Sequence, residues 1–358
     1  MSVFVVSELS GLDNFWILDV MAGIKAEADK KNLHCDTFPL DVKTGNDSPV
    51  VLVVGYSDLW LENTCRRVIE CGARPICVNA PASALKTQVA GSVSFDYDGA
   101  MSEVLSYLAE CGKRDIAFIG CRGNRVSFDC KKNAFIKNAP EHYFSHADVL
   151  HCEEIGNIAE VFMSQPTRYD AVICSRDAEA GALAMRLQKN GIRLPEDVFV
   201  LSFGDSKMAE RFTPMLSSVK VDFKELGREA VRLSRYLSQE RETCFVNCVV
   251  RCPLIIRGST ADIQRQHDAS VMVPKPISYK TDAEYLSYLQ AEELVRIWDS
   301  LDKKIVAALL EGRNTASVAE KLFISHSSVK YRIRKMLNLA KIKDRSELIS
   351  LVARYKLL

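Results

Sequence analysis

The stretch YDAVICSRDAEAGALAMRLQKNGIRLPEDVFVLSFGD, residues 169–205, decides the fold class. It begins with a short run rich in Val and Ile and ends with a second such run, as buried strands do. Between them lies a helical pattern that stops at Asn190-Gly191, a typical helix end. A strand, a helix and a second strand in this order predict a unit of a parallel sheet covered by helices.

The same alternation runs through about the first 220 residues. Helical patterns such as DNFWILDVMAGIKAEADKKN separate further short apolar runs. These runs are MSVFVVSE, SPVVLVVGYS, RPICVNA, DIAFIGC, YDAVICSRD and DVFVLSFGD. Repeated strand-then-helix units predict a doubly wound α/β architecture.

Bulk composition is that of a globular chain with two or three domains. The 358 residues are 47% hydrophobic and 26% charged. The N-terminus lacks a basic segment followed by an apolar core, and the sequence has no apolar run of about 18 residues. We therefore expect a cytoplasmic protein without a membrane segment, whose 12 cysteines are reduced thiols.

The charge distribution separates the C-terminal tail from the rest of the chain. Residues 301–358 contain 13 Lys and Arg against 5 Asp and Glu, a net charge of +8. The remaining 300 residues contain 34 against 41, a net charge of −7. A basic tail on an acidic body indicates that the tail alone meets a polyanion such as double-stranded DNA.

Polar and aromatic residues follow the predicted strands, where parallel sheets bind ligands. The candidate ligand-binding residues found this way are Glu8, Asn14, Phe15, Trp16, Tyr56, Asn79, Arg176 and Asp205. Such a set suits a small polar metabolite. The sequence has no phosphate-binding glycine loop, nucleophile elbow or zinc-binding motif. We therefore predict no catalytic residues, no cofactor, no metal and no enzymatic activity.

The segment 261–300 is predicted to be a linker and a connecting helix. Its first part is polar and contains Pro274 and Pro276, whereas residues 282–300 have a helical pattern. An apolar stripe on that helix comprises Tyr285, Leu286, Leu289, Leu294 and Ile297. It could brace the tail within one chain or pair with its copy in a homodimer.

The tail contains VAEKLFISHSSVKYRIRKML, residues 318–337, which predicts two helices joined by a tight turn. Ser325 is a good N-cap for the second helix. The residues facing inward at helical spacing are Val329, Ile333, Met336 and Leu337. The residues left on the outer side, candidates for DNA contact, are His326, Ser327, Lys330, Tyr331, Arg334 and Lys335. Long cationic side chains on an outer helix face suit phosphates and guanine edges.

Residues 169–237 resemble the effector domain of LacI/GalR-type repressors. The matching motifs include GALAMRLQKNGIRLPEDV, VLSFGDS, TPMLSSV and ELGREAV, with VVRCPLIIRGST as the closing strand. The resemblance covers about residues 1–260 and implies two hinged α/β lobes of the type I periplasmic-binding-protein fold. It places lobe one at about 1–96 and 223–246, and lobe two at about 97–222 and 247–260.

Residues 301–358 resemble a LuxR-type helix-turn-helix domain, a small all-α unit. The similar segments are VAEKLFIS, SVKYRIRKML and KDRSELISL, whereas the usual opening Thr-Pro-Arg-Glu is absent. Members of the LacI/GalR family normally carry their helix-turn-helix at the N-terminus. The resemblance therefore implies a sensor and a DNA reader joined in reverse order.

Three family ligand positions differ in this chain. The family's sugar-gripping Arg falls on Lys131, the Asn of its AND motif falls on Arg176, and the first Asp of its DD pair falls on Gly204, leaving Asp205. These changes favour a carboxylate- or phosphate-bearing ligand over a neutral sugar. The alternative is that Arg176 pairs with Asp177, Glu179 or Asp205 inside the lobe.

These features together predict a ligand-responsive, sequence-specific DNA-binding transcription regulator that acts as a dimer. A small polar metabolite, such as a sugar, sugar acid or sugar phosphate, would control DNA binding. The alternative is a DNA-binding regulator whose sensor lobes serve only as a dimerisation scaffold.

Overall fold

The computed structural model describes residues 2–8, 15–45, 47–121, 126–240, 245–261, 283–355 and 357–358. The side chains of residues 15, 283–286, 288–289 and 296 are not part of this description. Asn14 and most of the predicted linker, residues 262–282, therefore lie outside the described residues.

Strands and helices alternate through the first 260 residues. The strands are β1 Ser2–Ser7, β2 His34–Thr37, β3 Val50–Val54, β4 Arg74–Val78, β5 Gly91–Phe95, β6 Asp115–Cys121, β7 His146–Cys152, β8 Ala171–Cys174, β9 Phe199–Gly204, β10 Ser217–Lys220, β11 Val246–Val250 and β12 Leu254–Ile255. The helices are α1 Phe15–Lys30, α2 Asp58–Glu70, α3 Tyr97–Glu110, α4 Val126–Asn138, α5 Ile158–Met163, α6 Asp177–Lys189 and α7 Phe223–Gln239.

The described strands form two six-stranded sheets. Their orders are β11-β5-β4-β3-β1-β2 and β12-β10-β9-β8-β6-β7. The pairings of β1 with β2 and β3, and of β6 with β7 and β8, are parallel. Strands such as β3 are buried along their whole length, which explains their unbroken apolar sequence. The predicted α/β fold with two sheets is thereby confirmed.

The first sheet ends on β11, which pairs in parallel with β5 from Val246 to Val250. The predicted passage from lobe one to lobe two after residue 246 falls at the start of this strand. The strand lies in the first sheet because its backbone completes the hydrogen bonds of β5. The passage between the sheets therefore comes after residue 250.

Helices α1 and α7 cross at very close range on the first sheet. A Cβ atom at Gly227 would lie 2.1 Å from the Val20 carbonyl oxygen, and one at Gly23 would lie 2.0 Å from the Lys224 carbonyl oxygen. Only glycine allows two helix backbones to approach this closely. This crossing positions the start of α1, where the predicted aromatic ligand contact Trp16 lies.

The C-terminal part of the chain is helical. Its helices are α8 Ala283–Ile297, α9 Ser300–Leu310, α10 Thr315–Leu322, α11 His326–Leu339 and α12 Arg345–Arg354. They share one apolar core, in which Leu294, Trp298, Val329 and Leu348 are buried. Met208, from the segment after β9, is buried in the same core. The helical tail is thus packed against residues of the α/β part.

Of the predicted apolar stripe on α8, Leu294 is buried in this core and Ile297 packs against it. The side chains of Tyr285, Leu286 and Leu289 fall outside the described residues. Ala291, Val295 and Trp298 contribute to the same core without having been part of the predicted stripe. These contacts support the bracing of the tail within one chain.

The described chain divides into two compact units by its internal contacts. One unit comprises residues 1–153, 166–175 and 219–255, and the other comprises residues 154–165, 176–218 and 256–358. Among the described residues, no helix is both long enough and apolar enough to cross a membrane.

Candidate functional site

Helix α11 presents the predicted polar face to solvent. Ser325 caps the helix, and its hydroxyl accepts a hydrogen bond from the Ser328 amide at 3.1 Å. On the inner side, Val329, Ile333 and Met336 are buried in the tail core, as the helical spacing predicts. The six exposed side chains on the outer side are His326, Ser327, Lys330, Tyr331, Arg334 and Lys335.

The exposed cations of α11 are available to a ligand. Within the part of the chain that the structure describes, Lys330, Arg334 and Lys335 carry no ion pair. His326 is already engaged, since its Nε2 atom lies 2.8 Å from the Thr315 hydroxyl on α10. Tyr331 is 69% exposed beside these three cations. The surface that they form therefore suits a polyanion that offers phosphates and base edges.

An ion pair fixes α11 to α9. The Arg332 Nη1 atom lies 2.7 Å from an Asp299 carboxylate oxygen and 2.8 Å from one of Asp302. Asp299 and Asp302 also form the capping box that begins α9. Burial raises the pKa of Asp299, but the hydrogen bond and charge of Arg332 and the hydrogen bonds from the Asp302 and Leu301 amides together outweigh burial and lower that pKa. Arg332 therefore holds α11 against α9.

Two predicted ligand residues at the ends of the first sheet have structural roles. The buried Glu8 carboxylate accepts hydrogen bonds from the Tyr56 amide at 2.9 Å and the Ser57 amide at 3.2 Å. Asn79 adopts a positive φ of 78°, and its amide donates to the Val93 carbonyl. Glu8 holds the turn that leads into α2, and Asn79 holds the turn after β4.

Aromatic side chains form a continuous row beside the first sheet. The ring centre of the half-buried Trp16 lies 6.4 Å from that of Tyr56, in an edge-to-face arrangement, and 5.5 Å from that of Phe223. Phe223 contacts Phe95 at 5.2 Å, and Phe95 contacts Tyr97 at 5.8 Å. We call these five residues the aromatic row. Its partly exposed members Trp16 and Tyr56 could stack on an apolar ring of a ligand.

Lys131 ends the aromatic row and is engaged by its surroundings. Its ammonium lies 4.9 Å from the centre of the Tyr97 ring and donates a hydrogen bond of 2.9 Å to the Ser175 carbonyl. Lys131 is 5% exposed. Burial raises the pKa of Tyr97 well above its usual value, so this ring stays neutral beneath the ammonium. The structure therefore gives Lys131 a packing role, and its ligand role stays a prediction.

Arg176 has an internal partner, as the alternative interpretation expects. It occupies the N-cap position of α6, and its Nε and Nη2 atoms lie 3.1 and 2.8 Å from Glu179 Oε1. Glu179 is fully buried, whereas the Arg176 side chain is 40% exposed. Arg176 therefore neutralises a buried carboxylate, while its side chain as a whole remains partly exposed.

A buried polar network lies next to Arg176, centred on Asp177. Its carboxylate accepts from the hydroxyls of Ser202 and Ser218 at 2.5 and 2.8 Å, and from the Ser206 amide at 2.6 Å. A Cβ atom at Gly204 would lie 2.7 Å from Asp177 Oδ2, and Gly204 has a φ of +143°. Glycine is therefore required at this position because the Asp177 carboxylate occupies the space.

Asp205 pairs with Arg257, a residue that the sequence interpretation missed. The Arg257 Nη2 atom lies 2.7 Å from Asp205 Oδ1, and both side chains are 12% exposed. Arg257 also donates to the Leu216 carbonyl at 2.9 Å. Arg257 stands in the closing strand motif, 52 residues from Asp205, and only the folded chain brings the two together. Asn14 and the Phe15 side chain fall outside the described residues.

The candidate ligand residues are divided between the two compact units. No group of three or more His, Cys, Asp or Glu side chains within the described part of the chain could hold a metal ion. Trp16, Tyr56 and Lys131 belong to one compact unit and are linked through the aromatic row. Arg176 and Asp205 belong to the other unit.

Comparison with known proteins finds relatives of the α/β part. Residues 105–260 match the family model of the periplasmic binding protein-like domain. This match covers less than half of the chain. Catabolite control protein A of Staphylococcus epidermidis is 27% identical over 173 residues, which are 47% of this chain and 53% of that protein. The chain thus spans about half the length of this relative.

Solved structures show the same fold. Transcription regulator CcpA of Lactococcus lactis aligns with a TM-score of 0.57 and 18% identity, covering 73% of this chain and 100% of that one. A LacI family transcriptional regulator from Enterococcus faecium with bound ribose aligns with a TM-score of 0.57 and 16% identity, with the same shares covered. The matched proteins are named as transcription regulators, and the similarity covers the periplasmic-binding-protein-like part.

Proposed function

We propose that this chain is a ligand-responsive, sequence-specific DNA-binding transcription regulator. One observation carries the proposal: α11 has a buried apolar side and an outer side with three exposed cations that carry no ion pair within the described residues. The relatives named as transcription regulators support the same function for the α/β part. The proposed domains are a sensor at 1–260, a linker and connecting helix at 261–300, and a LuxR-type reader at 301–358.

DNA recognition is assigned to α11 as the helix that enters the major groove. Lys330 and Arg334 would contact bases or phosphates, with His326, Ser327, Tyr331 and Lys335 beside them. Two such helices in a homodimer would read half-sites about one turn of DNA apart. The dimer is part of this proposal, because one short helix reads too few base pairs to be specific.

The experiment selects duplexes from a random-sequence pool with the full chain and then measures affinity by fluorescence anisotropy. Lys330→Ala and Arg334→Ala should each weaken binding by about 1–3 kcal/mol and relax the preference at one position. Lys220→Ala removes the same charge from the exposed end of β10 and should leave affinity unchanged. Unchanged binding in both α11 variants would refute the assignment.

The sensor is proposed to act on the tail through residues 204–212. The segment begins beside the Asp177 network, where the Ser206 amide donates to Asp177. It then reaches the tail: Lys207 Nζ donates to the Val295 carbonyl at 3.4 Å, and Arg211 Nη2 donates to the Leu357 carbonyl at 2.9 Å. A ligand that repositions this segment would thereby move the helices that bind DNA.

The ligand is proposed to be a small polar metabolite. The fold relative that holds ribose supports a sugar-sized compound. A carboxylate or phosphate on the ligand would pair with the exposed part of Arg176, so an acidic sugar should bind more tightly than its neutral parent. Calorimetric titration with glucose, glucuronate and glucose 6-phosphate tests this, and Arg176→Ala should abolish the preference. Equal binding of all three by the wild type would refute the anionic preference.

A second function is favoured by the internal pairing of Lys131, Arg176 and Asp205. In that case the sensor part serves only as a dimerisation scaffold. A thermal-shift screen of metabolites separates the two, because a compound that binds only the folded state raises the melting temperature. A sensor should respond to some compound in the panel, whereas a scaffold should respond to none.

A further inference from the structure

Two cysteine thiols meet at the ends of neighbouring strands in the second sheet. Cys121 is the last residue of β6 and Cys152 is the last residue of β7. The two residues are direct register partners in a parallel pair. Their Sγ atoms are 2.8 Å apart. Cys121 is partly exposed, whereas Cys152 is 2% exposed.

This arrangement permits a disulfide with little movement of the chain. Neighbouring strands lie about 4.7–4.9 Å apart, within the range of about 4.4–6.8 Å that disulfides span between Cα atoms. Register partners on parallel strands direct their side chains to the same face of the sheet. The sulfur atoms need to approach from 2.8 Å to the bond length of about 2.05 Å.

We propose that Cys121 and Cys152 form a reversible, peroxide-sensitive dithiol. The Cys121 thiolate attacks one oxygen of hydrogen peroxide, the O–O bond breaks, and Cys121 becomes a sulfenic acid as hydroxide leaves. The Cys152 thiol then attacks the Cys121 sulfur, forming the S–S bond and releasing water. In total, two thiols are oxidised, one peroxide is reduced, and two waters form.

A second buried pair shows why this site should react selectively. Cys65 and Cys77 also lie close to each other, but both are fully buried. The hydrogen bond to Cys65, together with burial, raises the pKa of the Cys77 thiol well above its usual value. The thiolate is the reactive form, so this pair lacks both access and ionisation. It serves as the matched control within the same chain.

The test treats the reduced full-length chain with hydrogen peroxide, blocks remaining thiols with iodoacetamide and maps peptides by mass spectrometry. We expect a Cys121–Cys152 linked peptide that disappears with dithiothreitol, and no Cys65–Cys77 linkage. The exposed residues Cys35 and Cys111 report in the same digest that reagents reach the protein. A folded chain in which Cys121 and Cys152 stay reduced, or link only to other chains, would overturn the proposal.

Variants test the two steps separately. In Cys152→Ser, Cys121 should accumulate as a sulfenic acid that dimedone traps, because the resolving thiol is absent. In Cys121→Ser, Cys152 should stay reduced because it is buried. Cys65→Ser should form the Cys121–Cys152 linkage at the wild-type rate. Equal dimedone labelling of wild type and Cys152→Ser would show that Cys152 does not resolve the sulfenic acid, against the proposal.

Discussion

Gly204 shows how a single residue fits the network around it. The family pattern has an acidic residue at this position, but here a Cβ would lie 2.7 Å from Asp177 Oδ2. We predict that Gly204→Ala lowers the free energy of unfolding by about 2–4 kcal/mol, since steric overlap adds to backbone strain. Gly112→Ala is the control, because Gly112 has a φ of +75° with nothing within 4 Å of a Cβ. Urea denaturation should show a smaller loss for the control; equal losses would contradict the overlap.

Glu62 provides a residue-level prediction of acid sensitivity. The Thr87 hydroxyl lies 2.5 Å from one carboxylate oxygen, and this hydrogen bond is the main reason that the pKa of Glu62 falls to about 2. A lowered carboxyl pKa stabilises the fold above the unfolded value and loses that contribution as pH falls. The stability advantage of wild type over Glu62→Gln should therefore shrink from pH 4.5 towards pH 2. A difference that does not change over that window would contradict this role.

The role of a residue could be predicted from the sequence only where it depends on residues close to it in the sequence. The exposed and buried sides of α11 follow from helical spacing alone, and the structure confirms them. The partners of Glu8 lie 48 and 49 residues away, and the partner of Lys131 lies 44 residues away. Because no local pattern encodes such pairings, the sequence could present these residues only as polar side chains at strand ends.

At the level of elements, the attachment of α11 to α9 depends on Arg332. Its partner Asp302 is 4% exposed, so removing Arg332 leaves a buried carboxylate without its cation. We predict that Arg332→Ala destabilises the tail by about 2–3 kcal/mol. In Arg313→Ala the partner Glu311 is 48% exposed, and the loss should stay below about 1 kcal/mol. Circular dichroism during urea denaturation measures both, and equal losses would contradict this role of Arg332.

The strands that the sequence patterns failed to predict include two edge strands, β2 and β7. β2 has the sequence HCDT and is exposed along its whole length, and β7 is mostly exposed or half-buried. Both strands stand at the ends of their sheets. An edge strand needs no unbroken apolar run because solvent covers part of it. The central strands β1, β3, β4, β6, β8 and β9 were predictable because burial requires apolar sequence.

At the scale of the whole molecule, the tail helices share a hydrophobic core with a residue of the α/β part, which the sequence did not predict. Met208 is 2% exposed within the core that holds Leu294 and Trp298 of the tail. Met208→Ala should therefore lower the free energy of unfolding by about 2–5 kcal/mol. Met163→Ala is the control, because Met163 is 37% exposed. Differential scanning calorimetry should show a lower melting temperature for the first variant; similar temperatures for both would contradict the shared core.

Ligand binding by the proposed sensor should change the affinity of the proposed DNA reader. The affinity of the full chain for its selected duplex is measured with and without a metabolite that raises the melting temperature. We expect this metabolite to change DNA affinity by roughly 5- to 150-fold, the usual range for allosteric coupling. Arg211→Ala, which removes the hydrogen bond to the Leu357 carbonyl, should reduce that change while metabolite binding persists. A metabolite that stabilises the wild type yet leaves its DNA affinity unchanged would refute coupling between ligand binding and DNA binding.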